Sequence, residues 1–189
     1  MGAPKAVVIG CSAGGLAALE KLFGGILPGL PQPFLVCCHT GSSTVDMLCE
    51  LLARHAAMPV EEAREREAPR GGHVYVAPSG YHLLVEADGR FALSVDPRVS
   101  FARPSIDVLF ASAAEAYGPG LAGMILTGAN SDGAAGLAAL RARGGLAIVQ
   151  QPDDAESPAM PQAALERAGA DHCLPLAAIA PLLNRICLS

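Results

Sequence analysis

The sequence contains no tryptophan, and aromatic residues of all kinds make up only 4% of its 189 residues. The core must therefore be built from Val, Leu, Ile and Ala. Charged residues are also scarce, at 16% against 51% apolar residues. This balance is typical of a globular protein and excludes a disordered chain. The length suits one domain, which we expect to span residues 1–189.

An excess of positive charge is also missing. The chain has 13 Lys and Arg against 18 Asp and Glu, a net charge of −5, so we expect no nucleic-acid partner. The longest uncharged stretch, residues 22–45, is interrupted by three prolines and several glycines, which argues against membrane insertion. No signal-peptide pattern opens the chain. These features predict a cytoplasmic protein.

The six cysteines form no C-x-x-C pair and show no spacing typical of metal ligands. In a chain without a secretory signal this pattern predicts reduced thiols. We therefore expect no zinc or other metal site.

Short apolar strands alternate with helical segments along most of the chain. Strands are predicted at residues 6–10, 34–39, 121–127 and 146–150. Helices are predicted at residues 15–23, 44–57, 134–143, 161–168 and 177–187, with another from an N-cap at Ser105 to about residue 118. The alternation predicts an α/β fold, a doubly wound and mostly parallel sheet with helices on both faces. Three short alternating segments between residues 73 and 97 predict an antiparallel hairpin insertion.

The first predicted strand runs into the small-residue turn "GCSAGG" at residues 10–15, where the carboxyl end of a strand opens the functional crevice of such sheets. A dinucleotide fingerprint would need glycine where Ser12 stands. Phosphate binding by the following helix N-terminus stays open as an alternative. The pattern G-x-S-x-G between a strand and a helix instead favours Ser12 as a nucleophile. The structural alternative is that Ser12 caps the helix.

A serine nucleophile needs a base and an orienting carboxylate. Among five histidines, His39 alone ends a predicted central strand, and His82 is the reserve candidate. Asp132 is the only acid in the loop between residues 127 and 134. Each residue also has an ordinary structural interpretation: a satisfied histidine at a strand end, or an Asp-Gly turn before a helix. Because three strand ends supply the three residue types together, we predict the triad Ser12, His39 and Asp132.

Six segments occur in an order and spacing that resemble the catalytic domain of the chemotaxis protein-glutamate methylesterases, the CheB type, over residues 7–182. They are "VIGCSAGG", the strand ending in His39, "VYVAPSGYHLLV", "RPSIDVLF", "LTGANSDGAAGL" and "IVQQPDDAESPAMPQAAL". The resemblance implies a doubly wound α/β domain and a serine hydrolase that needs no cofactor. Its substrates would be glutamate methyl esters, and some glutamines, on chemoreceptor signalling domains. It places the nucleophile at Ser12, the base at His39, the acid at Asp132 and an oxyanion donor at the Ala129 N–H.

The sequence departs from the pattern of this family in two loops. The family commonly has Gln before the base and Met-Pro after it, where this chain has Cys38, Thr40 and Gly41. In the loop before the acid, Ala129 and Asn130 replace Met and Gly. Asn130 adopts a positive φ more easily than most residues, so we expect the loop to keep its shape.

Family members are usually joined to a phospho-acceptor receiver domain, and none is expected within this chain. Two other functions stay open. The altered loops are compatible with a catalytically silent or retargeted module in another signalling complex. A hydrolase for a different ester or amide is the third interpretation.

Overall fold

The computed structural model describes residues 2–40 and 44–189. Within these residues the strands are β1 (Ala6–Cys11), β2 (Phe34–Cys38), β3 (Val60–Glu62), β4 (Val74–Val76), β5 (His82–Val85), β6 (Phe91–Ser94), β7 (Leu121–Ile125), β8 (Leu146–Gln150) and β9 (His172–Leu174). The helices are α1 (Gly15–Gly24), α2 (Val45–Ala53), α3 (Ile106–Tyr117), α4 (Ala134–Ala142), α5 (Ala159–Ala168) and α6 (Leu176–Cys187). None of the helices in this part of the chain is long and apolar enough to cross a membrane.

Seven of the described strands form one parallel sheet in the order β3-β4-β2-β1-β7-β8-β9. β1 lies at the centre, between β2 and β7, and Cys11 at its end stands in register with Cys38 of β2. Because the three strands are parallel neighbours, the chain leaves β2, β1 and β7 at adjacent points on the same edge of the sheet. A crevice forms where the strand order reverses in sheets of this kind.

Helices cover both faces of the sheet and bury two separate cores. Along β1, Val7 and Ile9 pack into one core with α1, α2 and α6. Ala6 and Val8 point the other way and pack with α3, α4, α5 and the hairpin. Because both faces are covered, the central strands are apolar at every position rather than alternating. The α/β, doubly wound fold predicted from the sequence is confirmed.

Gly10 brings α3 close to the end of β1. A Cβ atom at this position would lie 2.4 Å from Cγ2 of Ile106, the first residue of α3. The missing side chain lets the helix start directly beside the turn that carries Ser12. Residues at the N-terminus of α3 can therefore contact groups at the sheet edge.

The prediction for residues 73–97 is correct only in part. β5 and β6 form the expected antiparallel hairpin, but β4 belongs to the main sheet and pairs in parallel with β2 and β3. Burial of β4 on both faces explains this placement. The sequence does not predict the edge strands β3 and β9, because each has only three residues, none of them buried, and so shows no recognisable period. The predicted helix over residues 44–57 ends earlier, at Ala53.

Candidate active site

Ser12 lies in the turn between β1 and α1, and both its backbone N–H and its carbonyl make hydrogen bonds. Its N–H donates to the Thr127 carbonyl (2.9 Å), and its carbonyl accepts from Gly15 N–H (2.7 Å). The N-cap of α1 is Gly14, at φ 76°, with no side-chain cap. Ser12 therefore does not cap the helix, and its hydroxyl makes no hydrogen bond within residues 2–40 and 44–189.

His39 follows β2, the neighbour of β1, and its N–H donates to the Cys11 carbonyl (3.2 Å). This bond extends the pairing of the two strands by one residue. The imidazole Nε2 lies 2.9 Å from Oδ2 of Asp132, and the His39 side chain is 15% exposed. The arrangement brings the predicted base beside the predicted acid, from loops 93 positions apart.

Asp132 is fully buried at the N-terminus of α3 and accepts four hydrogen bonds. Besides the His39 ring, the donors are Ile106 N–H (2.7 Å), Asp107 N–H (3.0 Å) and Ser105 Oγ–H (2.8 Å). Burial alone would raise the pKa of this carboxyl, but these donors together hold the pKa below its ordinary value. Asp132 is therefore an anion at neutral pH, stabilised by two backbone N–H groups of a helix terminus.

Ser105 is the N-cap residue of α3, as predicted, but its hydroxyl does not make the expected hydrogen bond to a backbone N–H of the helix. The hydroxyl donates instead to Asp132, whose carboxylate satisfies the first N–H groups of α3. Ser105 thus holds the carboxylate in place, a role that its position before a helix did not indicate.

The hydrogen bonds around His39 define which ring nitrogen is free to act as a base. An ionised carboxylate only accepts, so Nε2 carries the proton that is donated to Asp132. The Asn130 amide is oriented by a hydrogen bond in which its Oδ1 accepts from Asp132 N–H (3.0 Å). In this orientation the Asn130 Nδ2, a donor, faces His39 Nδ1 at 3.4 Å. Nδ1 is therefore the unprotonated nitrogen. Asn130 also differs from expectation, since its φ is not positive.

His82, the reserve candidate, is buried and has two backbone partners. Its Nε2 donates to the Pro97 carbonyl (3.0 Å), and its Nδ1 accepts from Ser105 N–H (3.2 Å). Both ring nitrogens are thus occupied. His82 joins the hairpin to the start of α3.

Thr127, which the sequence did not single out, connects the Ser12 turn with the loop that follows β7. Its hydroxyl donates to the Ala13 carbonyl (2.9 Å) and accepts from Ser157 N–H (2.8 Å). Its N–H donates to Gln150 Oε1 (3.0 Å). The N–H groups of Ala13 and Ala129, on the two connected segments, have no acceptor in the described residues. Such free N–H groups are the donors that an oxyanion needs.

Two open grooves meet at Ser12 and His39. The first, which we name the aliphatic groove, has a volume of about 410 Å³ and is lined further by Leu16, Met47 and Leu51. The second has a volume of about 710 Å³. Its lining includes Ser12, His39, Arg98, Phe101, Arg103 and Asn130, and we name it the arginine groove. A polypeptide that crosses Ser12 has room on both sides.

The six cysteines are free thiols. No cluster of three or more His, Cys, Asp or Glu side chains that could hold a metal ion is found in residues 2–40 and 44–189. Of the loop positions at which the sequence departs from the family pattern, Gly41 lies outside the described residues.

Three neighbouring strand ends of a doubly wound parallel sheet thus carry Ser12, His39 and the buried Asp132, at the edge where α/β domains of this class form their crevice. The sequence model of the CheB methylesterase family matches residues 7–183. The chain belongs to this family.

Several relatives support the assignment. A putative protein-glutamate methylesterase/protein-glutamine glutaminase of Leptospira interrogans is 45% identical over 96% of this chain and 94% of its own length. A protein-glutamate methylesterase/protein-glutamine glutaminase of Symbiobacterium thermophilum is 39% identical over 96% of this chain and 50% of that protein. The crystal structure of the Thermotoga maritima CheB methylesterase catalytic domain superposes with a TM-score of 0.93 at 30% identity, covering 97% and 98% of the two chains.

Proposed function

We propose that this protein is a cytoplasmic protein-glutamate methylesterase that acts on chemoreceptor signalling domains, with Ser12 as nucleophile, His39 as base and Asp132 as orienting acid. The observation that carries the proposal is the 2.9 Å bond between His39 Nε2 and the buried Asp132 carboxylate. This bond leaves Nδ1 as the basic nitrogen at the junction of two grooves that also contain Ser12. The names of the relatives supply the protein-glutamate ester as the substrate, and the chemoreceptor target is what the family resemblance implies.

In the first half of the reaction, His39 Nδ1 accepts the hydroxyl proton of Ser12 while Oγ attacks the γ-carbonyl carbon of the methyl ester. Asp132 stabilises the imidazolium and keeps its orientation. The tetrahedral intermediate collapses, the bond to the methoxy oxygen breaks, and methanol leaves with the proton from His39. A glutamyl ester of Ser12 remains.

In the second half, His39 removes a proton from water, whose oxygen attacks the same carbonyl carbon. Collapse returns the proton to Ser12 Oγ and releases the glutamate carboxylate. In this proposal the N–H groups of Ala13 and Ala129, which have no acceptor in the described residues, donate to the oxyanion in both halves. One such donor typically contributes about 3–4 kcal/mol to the transition state, so the backbone of both loops has to stay in position.

The same steps hydrolyse a glutamine side chain, with ammonia as the leaving group in place of methanol. The glutaminase part of the names of the relatives describes this second reaction. We include it in the proposal because the acyl-enzyme is identical in the two cases.

The test compares wild type with Ser12→Ala for methanol release from methyl-labelled chemoreceptor signalling domains and for labelling by a fluorophosphonate. Ser79→Ala is the matched control, because Ser79 also lines the arginine groove. We expect both readouts from wild type and Ser79→Ala, and neither from Ser12→Ala. Circular dichroism verifies that all three proteins are folded.

The two other interpretations give different results. A catalytically silent module would show no adduct at Ser12 in folded wild type. A hydrolase for another ester would be labelled at Ser12 but would release no methanol from the receptor domains.

A further inference from the structure

The loop between β6 and α3 ends in a tight turn with an unusual conformation. Ser100 has φ 49° and Phe101 has φ 64°. The turn is closed by two hydrogen bonds, from Val99 N–H to the Ala102 carbonyl (3.1 Å) and from Ala102 N–H to the Val99 carbonyl (2.9 Å). Two central residues with positive φ define a type I′ turn, which strongly favours Asn-Gly. A phenylalanine in this conformation is a steric outlier.

The strained turn directs a large apolar side chain into solvent beside Ser12. Phe101 is 95% exposed, more than any other large apolar residue in the part of the chain that the structure describes. It lines the arginine groove together with Ser12 and His39. Conformational strain and exposed apolar surface both oppose folding and bring no packing in return. Backbone outliers of this kind cluster at active sites and ligand-binding loops.

The charges of this groove have one sign. Arg98 and Arg103 line it, whereas no Asp or Glu is among its lining residues in the described chain. Arg103 is held by the loop itself, since its Nη1 donates to the carbonyls of Val95 (2.8 Å) and Asp96 (3.1 Å). Arg98 is exposed, and within the described ranges 2–40 and 44–189 its guanidinium makes only a long contact with the Phe101 carbonyl, at 3.4 Å. In a protein of net charge −5, this is a local cationic site with an available guanidinium.

We infer that Phe101 and Arg98 recognise the polypeptide that flanks the scissile side chain. Phe101 contacts an apolar side chain, and Arg98 pairs with a carboxylate of the same segment. The inference rests on the proposed function and makes it more specific: the preferred substrate is an acidic, amphipathic segment in which apolar and acidic side chains flank the esterified glutamate. Neither residue touches the reacting atoms, so both act on binding rather than on the chemical step.

The experiment uses synthetic peptides that carry one glutamate γ-methyl ester. Four peptides have the ester flanked by Leu and Glu, by Leu and Gln, by Ala and Glu, or by Ala and Gln. For wild type we expect kcat/KM to fall about tenfold on loss of the flanking Leu, the usual effect of one apolar contact. Loss of the flanking Glu should lower it about two- to fivefold, because an exposed ion pair contributes up to about 1 kcal/mol. The preference for Glu should weaken at high salt.

Variants of the two residues should remove these preferences one at a time. Phe101→Ala should hydrolyse the Leu and Ala peptides equally, while Arg98→Gln should lose the preference for Glu. The effect should fall on KM, with kcat unchanged. Phe101→Gly relieves the strain of the positive φ and should behave like Phe101→Ala. Equal results from the two variants would show that the loss comes from the missing ring and not from a changed loop conformation. The controls are Val95→Ala and Arg185→Gln, two exposed residues outside the groove lining.

Hydrolysis of p-nitrophenyl acetate and fluorophosphonate labelling distinguish the possible failures. Wild type that is labelled at Ser12 and cleaves all four peptides equally would refute the recognition role and leave the proposed function standing. Absence of labelling and of all hydrolysis would refute both. If the variants instead abolished a wild-type dimer in sedimentation and left the peptide preferences unchanged, Phe101 would contact a second copy of the chain, and the inference would be wrong.

Discussion

Asp107 and Asp132 form a reciprocal pair of helix caps: Asp107, which lies in α3, caps α4, and Asp132, which directly precedes the start of α4, caps α3. Asp132, just before α4, accepts the Ile106 and Asp107 N–H groups at the start of α3. Asp107, in the first turn of α3, accepts Gly133 N–H (2.9 Å) and Gly136 N–H (2.7 Å) at the start of α4 through Oδ1. The proposed catalytic carboxylate is thus held by a reciprocal pair of helix caps.

Asp132→Asn should lower kcat by up to about 10⁴-fold, because an amide cannot accept from all four donors and favours the wrong tautomer of His39. The rate of ester hydrolysis measures the effect. Asp171→Asn is the control, since Asp171 also accepts a backbone N–H, that of Ala147 (2.8 Å), but has no contact with His39. A near-normal rate in Asp132→Asn would remove this residue from the triad.

Ser105→Ala should lower kcat by about three- to tenfold and leave KM unchanged, because one of four hydrogen bonds to Asp132 is lost. Ser112→Ala is the matched control on the same helix: its hydroxyl bonds Val85 N–H and the Leu109 carbonyl. Both variants should lose about 1 kcal/mol of unfolding free energy. Equal activity in the two variants would show that Ser105 has only a structural role.

Asp107→Ala should lower the free energy of unfolding by about 1–2 kcal/mol, because it leaves two N–H groups of α4 without an acceptor. Asp107→Asn retains an oxygen at the same place and should be close to wild type in urea denaturation. If the two variants were equally destabilised, the negative charge of Asp107, rather than its acceptor, would be the stabilising feature.

The two carboxylates should give opposite dependences of stability on pH. Burial raises the pKa of Asp107, so its stabilising contribution is full below its unfolded pKa of about 3.9 and is lost as pH rises through the higher folded value. The pKa of Asp132 is lowered despite burial, so its contribution is present above about pH 3.9 and is lost as pH falls through the folded value.

Urea denaturation between pH 3 and 7 tests these signs. The stability of wild type relative to Asp107→Asn should fall as pH rises, and its stability relative to Asp132→Asn should increase. The same slope for both pairs would contradict the assignment of the two pKa shifts.

Asn130→Asp should slow ester hydrolysis about tenfold or more at neutral pH, because a carboxylate facing His39 favours a proton on Nδ1, the atom that has to accept the proton from Ser12. Asn130→Gly removes the 3.4 Å contact altogether. It should keep a wild-type kcat and lose about 1 kcal/mol of stability with the bond to Asp132 N–H. A fall in kcat in Asn130→Gly would instead give the amide a part in catalysis.

Local patterns predicted most elements of the fold correctly. The strand at residues 146–150 has the predicted bounds, since its first four residues form the apolar run that is typical of a buried parallel strand. For β4 the sequence predicts a hairpin strand, because its residues resemble those of β5 and β6. Only its parallel pairing with β2 shows that it belongs to the main sheet. The edge strands are too short to show a period.

The candidate site could be predicted from the sequence only as a set of residues at strand ends. Ser12, His39 and Asp132 could be named because each follows a predicted strand, and the structure places the His39 and Asp132 side chains in contact. Ser105 and Thr127 were not recognised as supports, because their hydroxyls bond groups 27 and 114 positions away. No periodicity in the sequence indicates such partners.

The sequence by itself determined the element types, the turn at Ser12 and the position of candidate residues at strand ends, because apolar periodicity and small-residue turns act over a few neighbours. Only the tertiary structure decided which of these ends meet. β1 lies between β2 and β7, and this order brings residues 93 positions apart to 2.9 Å. A hydrogen bond forms only where two groups are close in space, and strand order and helix packing set that distance.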